Sequence, residues 1–458
     1  MQVTNFGPID KANIQMTNCS FFAGKNNVGK SVMAQLMYSI LKVISPTMEE
    51  VSDYLPELVE NEFIRLVEEV VSKSPKTKSQ PQKSTKKSKG KSSRKSVPKN
   101  EGTWKVSQRD LQTIKSLSRK NREKIRNRIN SELSSLCHER LKEGVRSEMT
   151  YVFSSSIYDY IRLGEDIAKI LFEYNDNMYS CIYTMGIYRK SKSIRTECGL
   201  KVDNDFLNRY IDDMFKLPIK HLKGKTIKYK WEKGKLIVRF PYRSTSEDIY
   251  TLPSKTYHPW RIYFIPAGRA GLLEGYRIVS NAFYRAAPFA SISDTKSPSI
   301  TGVVADYYSL LMSFEGKKGH YNDIAKDLLS KTMEGIVEMD SDEYPFSVMK
   351  YRLKTPENHE TVMDITKASS MVKELAPLFM VVAEKLRPND ILIIEEPESH
   401  LQPKTQLELA EFFFSLSKEG ARILVTTHSE LMLRQSFQLF NQKDLPISGN
   451  LFIFKESG

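Results

Sequence analysis

The sequence predicts an α/β fold: a mixed, mostly parallel sheet flanked by helices and interrupted by a long helical insertion. Three observations carry that reading. The glycine loop GKNNVGKS (24–31) is preceded by a short apolar strand, CSFFA, and followed by a helical pattern, SVMAQLMYSILKVI. Far along the chain, the apolar runs DILII and ARILV lead into polar residues, Glu395-Glu396 and Thr426-Thr427-His428. Buried parallel strands deliver side chains at the carboxyl end of a sheet in this way. From Ser369 onward helical and strand patterns alternate, which favours parallel pairing.

The elements follow in order. Residues 1–44 hold the opening strands and the glycine loop. The stretch MEEVSDYLPELVENEFIRLVEEVVSK reads as an acidic helix. From Trp104 to about Val145, apolar residues at Leu111, Ile114, Leu117, Ile125, Ile129, Leu133 and Leu136 recur at spacings of three and four. That is one long amphipathic helix or a pair of helices, with Arg and Lys dense on the other face. Residues 45–165 are therefore expected to form a helical, coiled-coil-like insertion. Residues 166–254 read as a variable α+β region containing a hairpin at 224–242, where TIKYKWE and KLIVRF alternate around Lys233-Gly234. In 255–458, RIYFIPAGRAG is a strand entering a glycine turn, PFSVMKYRL and ETVMDI suggest a second hairpin, and the alternating segment follows.

With 458 residues, 40% of them hydrophobic, the chain is long enough for two or three domains with a large core. Its apolar stretches are too short to cross a bilayer, and the N-terminus has no basic segment followed by an apolar one. Cys19, Cys137, Cys181 and Cys198 share no C-x-x-C spacing and read as unpaired thiols in a reducing compartment, with no metal site. The expected location is the cytoplasm. The net charge of +14 resides mostly in one stretch: Lys73 to Asn100 holds 11 Lys or Arg, and without it 58 basic residues face 55 acidic ones. Almost devoid of apolar residues, that stretch is expected to be disordered. It is read either as a solvated tether or as a salt-sensitive contact to nucleic acid or phosphate.

Gly24, Lys25, Asn26, Asn27, Val28, Gly29, Lys30 and Ser31 fit G-x-x-x-x-G-K-[ST], and the strand before and helix after are the context that motif needs. Backbone N–H groups and a helix N-terminus would cradle a phosphate. Lys30 would reach the β- and γ-phosphates, and the Ser31 hydroxyl would bind Mg²⁺. Such a loop needs an acid for the metal and a base for the attacking water. Glu395 is read as the metal acid and Glu396 as the base. His428, at the end of the next strand, is read as a hydrogen-bond partner of a γ-phosphate.

These motifs, in this order, resemble the ATP-binding-cassette ATPases of the RecF, SMC and OLD (overcoming lysogenization defect) group, most closely the OLD-like AAA ATPases. The segment ASSMVKELAPLFMVV is similar to that family's degenerate signature helix, LIIEEPESHLQPKTQ to its Walker B and D-loop, and VTTHSELML to its switch histidine. The resemblance covers roughly 1–42 and 255–440. It implies an ABC-type P-loop fold with an antiparallel β lobe, hydrolysis of ATP to ADP and phosphate with Mg²⁺, and a homodimer or higher oligomer closed head to tail around ATP. Ser369 and Ser370 would then face the nucleotide held by the partner subunit. The signature departs from LSGGQ, with Met371 where glycine is common. YFIPAGRAG resembles a family segment and makes Arg269 an active-site or dimer-contact residue, against the plainer reading of a surface arginine.

OLD enzymes carry a C-terminal Toprim nuclease, for which no space is expected in the residues after His428. Stand-alone OLD-like ATPases resemble the sensor subunits of anti-phage systems such as PARIS and Septu. By that resemblance the chain would control a separate effector, a nuclease (of Toprim type or another) or a toxin. Two readings compete: a RecF- or SMC-like ATPase that clamps DNA, and a scaffold whose slow hydrolysis times assembly.

Overall fold

The computed structural model describes residues 1–73, 101–232, 235–239, 259–286, 300–333, 335–340, 348–354, 360–441 and 449–454. Strands β1 (Gln2–Phe6) and β2 (Ile9–Asn13) pair antiparallel, and β3 (Cys19–Gly24) enters the glycine loop. Helix α1 (Lys30–Lys73) leaves the loop as one element of 44 residues, running through Pro46 and Pro56. A proline removes a donor and crowds the preceding turn. The helix nevertheless continues because its buried stripe does: Ile44, Met48, Val51, Leu55, Leu58 and Val59 pack on both sides of the prolines. The boundary expected between residues 44 and 45 thus falls inside a single helix.

Strand β4 (Glu101–Lys105) takes up Trp104, so the helical stretch begins later than the apolar spacing suggests. Ser107 caps α2 (Gln108–Lys120) reciprocally with Asp110: the Ser107 hydroxyl accepts from the Asp110 N–H and the Asp110 carboxylate from the Ser107 N–H. After Asn121 comes α3 (Arg122–Phe153), so the insertion is a pair of helices. Helix α3 runs antiparallel along α1. Lys42 pairs with Glu148 at 2.7 Å, Glu50 with Arg140 at 2.6 Å, and the buried Glu62 with Arg128. Each step forward on α1 is matched by an equal step back on α3, so the two helices hold one register. The basic stretch 74–100 lies outside the described residues.

Strands β5 (Ile167–Asn175), β6 (Tyr179–Tyr188) and β7 (Ser193–Val202) meander onto the free edge of β1, giving the antiparallel order β2-β1-β5-β6-β7. Strands β5 to β7 thus share a sheet with residues 2–13. The reason is edge satisfaction, since β1 has hydrogen-bonding groups on both sides and β2 covers only one. Helix α4 (Asn204–Leu222), capped by Asp203, leads to β8 (Thr226–Glu232) and β9 (Lys235–Arg239). These two pair as the hairpin expected at 224–242; its turn lies outside the described residues, and β4 covers the other edge of β8.

The remaining elements are β10 (Ile262–Ile265), α5 (Arg269–Ala286), α6 (Gly302–Met312), α7 (Asn322–Thr332), β11 (Gly335–Asp340), β12 (Val348–Lys354), β13 (Glu360–Asp364), α8 (Ser370–Met380), β14 (Ile391–Glu395), α9 (Pro403–Lys418), β15 (Arg422–Thr427), α10 (Glu430–Phe440) and β16 (Gly449–Phe454). Strands β11, β12 and β13 form a small antiparallel sheet. The central sheet has the order β10-β14-β15-β3-β16, and each of these pairs is parallel. Both of its faces are buried, as the apolar runs predict. Ile391, Ile393, Leu424 and Phe22 join the core shared with α1 and the antiparallel lobe. Leu392, Ile394, Ile423, Val425 and Phe21 join the core on the opposite side. Because β14 lies beside β15 and β15 beside β3, the two glutamates, His428 and the glycine loop leave the sheet at one end. This is a P-loop α/β fold with an antiparallel lobe. Among the described residues no helix is long and apolar enough to cross a membrane.

Candidate active site

The loop between β3 and α1 is shaped by two glycines that no other residue could replace without strain. Gly24 has φ of +144° and Gly29 of +99°, backbone that L side chains avoid. A Cβ on Gly24 would meet the Phe454 carbonyl, and one on Gly29 would lie 2.7 Å from Ile9 Cγ1 in the β1–β2 turn. The side chain of Lys30 is buried and folds back over the loop. Its ammonium donates to Gly24 O at 2.9 Å and Lys25 O at 2.5 Å, and lies 3.5 Å from His428 Nδ1. Burial lowers the Lys30 pKa, against the pull of Glu396 and Glu398, which raises it.

Glu395 ends β14 and is 5% exposed. Its Oε2 accepts from the Ala267 N–H at 3.4 Å, and its Oε1 has no hydrogen-bond partner. Burial pushes the carboxyl up to about 7, with the Ser31 hydroxyl and the Ala267 N–H acting in the other direction. An acid so placed is costly unless something pairs with it. Glu396, the next residue, has φ of +42°, a conformation of the kind that gathers at active sites. Its N–H donates to Thr426 O at 2.9 Å and its carbonyl accepts from Arg269 at 3.0 Å. Its Oε1 is 3.1 Å from His428 Nε2. An ammonium can only donate, so His428 Nδ1 is the acceptor toward Lys30, and the ring proton sits on Nε2, directed at Glu396.

Arg269 is not a surface residue. It is 1% exposed, and its guanidinium donates to Pro266 O at 3.0 Å, Glu395 O at 2.6 Å, Glu396 O at 3.0 Å and Glu374 O at 3.1 Å. Its Nε is also 2.9 Å from the buried Glu374 carboxylate. Arg269 therefore ties the strand end that carries Glu395 and Glu396 to α8, the helix of the signature-like segment. At the start of that helix Ser369 and Ser370 are both exposed, and the Ser369 hydroxyl accepts from the Val372 N–H at 3.4 Å.

Residues 277–433 match the AAA ATPase domain family. Over those residues the chain is similar to an AAA ATPase domain. The matched stretch holds Ser369, Ser370, Glu395, Glu396 and His428, and the glycine loop lies outside it. Among solved structures the ATPase is similar to an Smc head bound to the C-winged helix domain of ScpA, with a TM-score of 0.38 and 11% identity over 95% of this chain and 90% of that one. It is also similar to an Smc head with an extended coiled coil, bound to the C-terminal domain of ScpA, from Pyrococcus furiosus, with a TM-score of 0.37 and 11% identity over 95% and 90%. A third is the SMC head domain from Thermotoga maritima, with a TM-score of 0.28 and 11% identity over 64% and 79%. No curated protein matches the chain.

The donor set of the ATPase suits a magnesium nucleotide. An unpartnered, buried carboxylate oxygen on Glu395 beside Ser31 is a hard-oxygen pair of the kind Mg²⁺ takes, and the Lys30 ammonium rests on loop carbonyls within reach of a phosphate. Bound there, the metal would neutralise phosphate charge. Ser31 and Glu395 would hold it, the loop N–H groups and Lys30 would bind the phosphates, and Glu396 would accept the proton of the attacking water. His428, 3.1 Å from Glu396 Oε1, would hold that carboxylate in place. Two further residues serve the site. Glu398 Oε1 accepts from Thr427 Oγ1 at 2.7 Å, His428 N at 2.6 Å and Ser429 N at 3.1 Å, which fixes the turn that presents His428. Gln406 accepts from the Ser429 hydroxyl at 2.6 Å and braces that turn from α9. Glu398 stands in the same short run as the glutamate pair, and that proximity was its only sequence signal. Glu374 and Gln406 had none.

Proposed function

We propose that this ATPase binds ATP with Mg²⁺, closes head to tail on a second copy around the nucleotide, and serves as the sensor or regulatory subunit of a separate effector, in the manner of the OLD-like ATPases of anti-phage defence. The observation that supports it most is the unbroken line from Lys30 through His428 to Glu396, with contacts of 3.5 Å and 3.1 Å. It joins the glycine loop to His428, 398 residues further along, and through it to Glu396, 32 residues before that histidine. The exposed serines at the start of α8 support the composite, two-chain arrangement, since a helix N-terminus that carries serine hydroxyls favours an anion. The effector, a nuclease or a toxin, is carried over from the resemblance.

Glu396→Gln is the direct test. It keeps the shape of the site and removes the base, so nucleotide binding should persist while turnover falls by roughly 10²-fold or more. Lys30→Ala should instead weaken binding itself. Parent-like turnover in Glu396→Gln would remove the base assignment.

A DNA-clamping ATPase of the RecF or SMC type is the second reading. It is favoured by the helix pair α1 and α3 extending from the glycine loop and by the exposed Arg109, Lys115, Arg119, Lys120 and Lys124 on α2 and α3. Binding of duplex DNA that weakens steeply with salt and responds to ATP would support it. Deleting Lys73 to Asn100 should then reduce DNA affinity and its salt slope while leaving ATP hydrolysis intact. Absence of DNA binding at low salt would end this reading.

A further inference from the structure

We propose that Cys137, Cys181 and Cys198 form a binding site for one soft, thiolate-preferring divalent cation of the zinc class, at the seam between α3 and the antiparallel lobe. The three thiols come from three different elements. Cys137 lies in the buried stripe of α3 that also holds Ile129, Leu133, Leu141 and Val145. Cys181 points inward from β6, and Cys198 sits half-buried on the inner face of β7 with Leu200 and Val202. The partners are 44, 17 and 61 residues apart in sequence, so only packing brings them together. That is why the absence of a C-x-x-C spacing, which argued against a metal site, does not bear on this one.

The geometry selects a metal rather than a disulfide. The three Sγ–Sγ distances are 3.9, 3.8 and 3.6 Å. A tetrahedral ion with Zn–S bonds of about 2.3 Å holds neighbouring sulfurs roughly 3.8 Å apart, so the thiols already outline one face of that tetrahedron. A disulfide needs sulfurs about 2.05 Å apart and well-matched Cβ positions. Cys181 is paired across the sheet with Leu200, and Cys198 with Tyr183, so the two cysteines stand diagonal rather than opposite. Thiolates select zinc-class ions over Mg²⁺. His138 does not supply the fourth ligand: neither of its ring nitrogens lies within 4.8 Å of all three thiols, and its Nε2 faces Thr196 O and Thr196 Oγ1 at 3.2 Å. Among the described residues no fourth side chain joins the three thiols, so the fourth ligand would be solvent. An ion here would staple α3, and with it the helix pair, to two strands of the lobe.

The test uses the full chain, stripped with a chelator, kept reduced with a non-thiol reductant, free of nucleotide and titrated with Co²⁺. One equivalent of Co²⁺ should produce a thiolate-to-cobalt charge-transfer band with tetrahedral visible absorption, and Zn²⁺ should displace it. An ion held by Ser31 and Glu395 has oxygen ligands and gives no such band. Cys198→Ser, at a half-buried position, and Cys181→Ser should each weaken binding by more than the roughly 10- to 100-fold that loss of an outer-shell partner costs, while Cys19→Ala leaves it unchanged. Circular dichroism of Cys198→Ser shows whether the fold is kept. No charge-transfer band at one equivalent, or a band that survives both serine variants, would overturn the proposal.

Discussion

Arg269 concentrates much of the site's order in one side chain. Its guanidinium holds the carbonyls of Glu395 and Glu396 while its Nε pairs with Glu374, so the acids depend on a side chain that is itself buried. Arg269→Ala leaves a buried carboxylate unpaired, and removing one member of a buried pair costs about 3–5 kcal/mol; thermal denaturation should register it. Arg269→Lys is the more informative change. A lysine keeps the charge but lacks the planar fork, so it cannot hold both carbonyls. The expected outcome is a fall in kcat with nucleotide affinity largely retained. Equal losses in kcat and in affinity would mean the residue acts on folding alone. The glycine loop, the glutamate pair and His428 could be nominated from sequence because each is a run of consecutive residues whose chemistry is local. Arg269, Glu374 and Glu398 could not be assigned their roles, because their partners lie on other elements and a lone Arg or Glu in sequence is ordinarily solvated.

At the scale of elements, the loop and α1 form one body that starts under the β1–β2 turn. Gly29 packs against Ile9 and Pro8, so the lobe rests on the loop at the residue before the helix. Gly29→Ala imposes a strained φ, a cost of about 1–3 kcal/mol, and forces Ile9 away from the loop. ATP affinity should fall about tenfold or more, since 1.4 kcal/mol corresponds to tenfold; nucleotide titration measures it, and parent-like affinity would show that the contact is slack. The parallel sheet was legible because strands buried on both faces read as unbroken apolar runs. The lobe was not, because β1 finds β5 across more than 160 residues and nothing local marks that pairing. The length of α1 was hidden by Pro46 and Pro56, which end a helix by local rules and are overridden here by burial against α3.

At the scale of the whole molecule, the two halves of the proposed chemistry lie on different elements of one chain: the loop with its acids, and the serines of α8. Ser369 and Ser370 are exposed at the N-terminus of α8, while the other end of the chemistry, Lys30, Glu395 and Glu396, sits at the carboxyl end of the central sheet. If the serines serve the partner's nucleotide, Ser370→Arg should abolish hydrolysis yet leave ATP binding in place, because an arginine there keeps two subunits from approaching to hydrogen-bond distance of one ligand. Lys30→Ala fails differently, by losing the nucleotide. Mixing the two proteins separates a composite site from a self-contained one. In a head-to-tail mixed dimer one site combines the Lys30→Ala loop with the Ser370→Arg helix and carries both lesions. The other combines an intact loop with an intact helix. Hydrolysis should therefore return in part on mixing, toward the share of mixed dimers formed, when subunits exchange and one intact site suffices. In a self-contained site each chain keeps its own lesion and mixing restores nothing. Ser370→Arg hydrolysing ATP at the parent rate on its own would place α8 outside the reaction altogether.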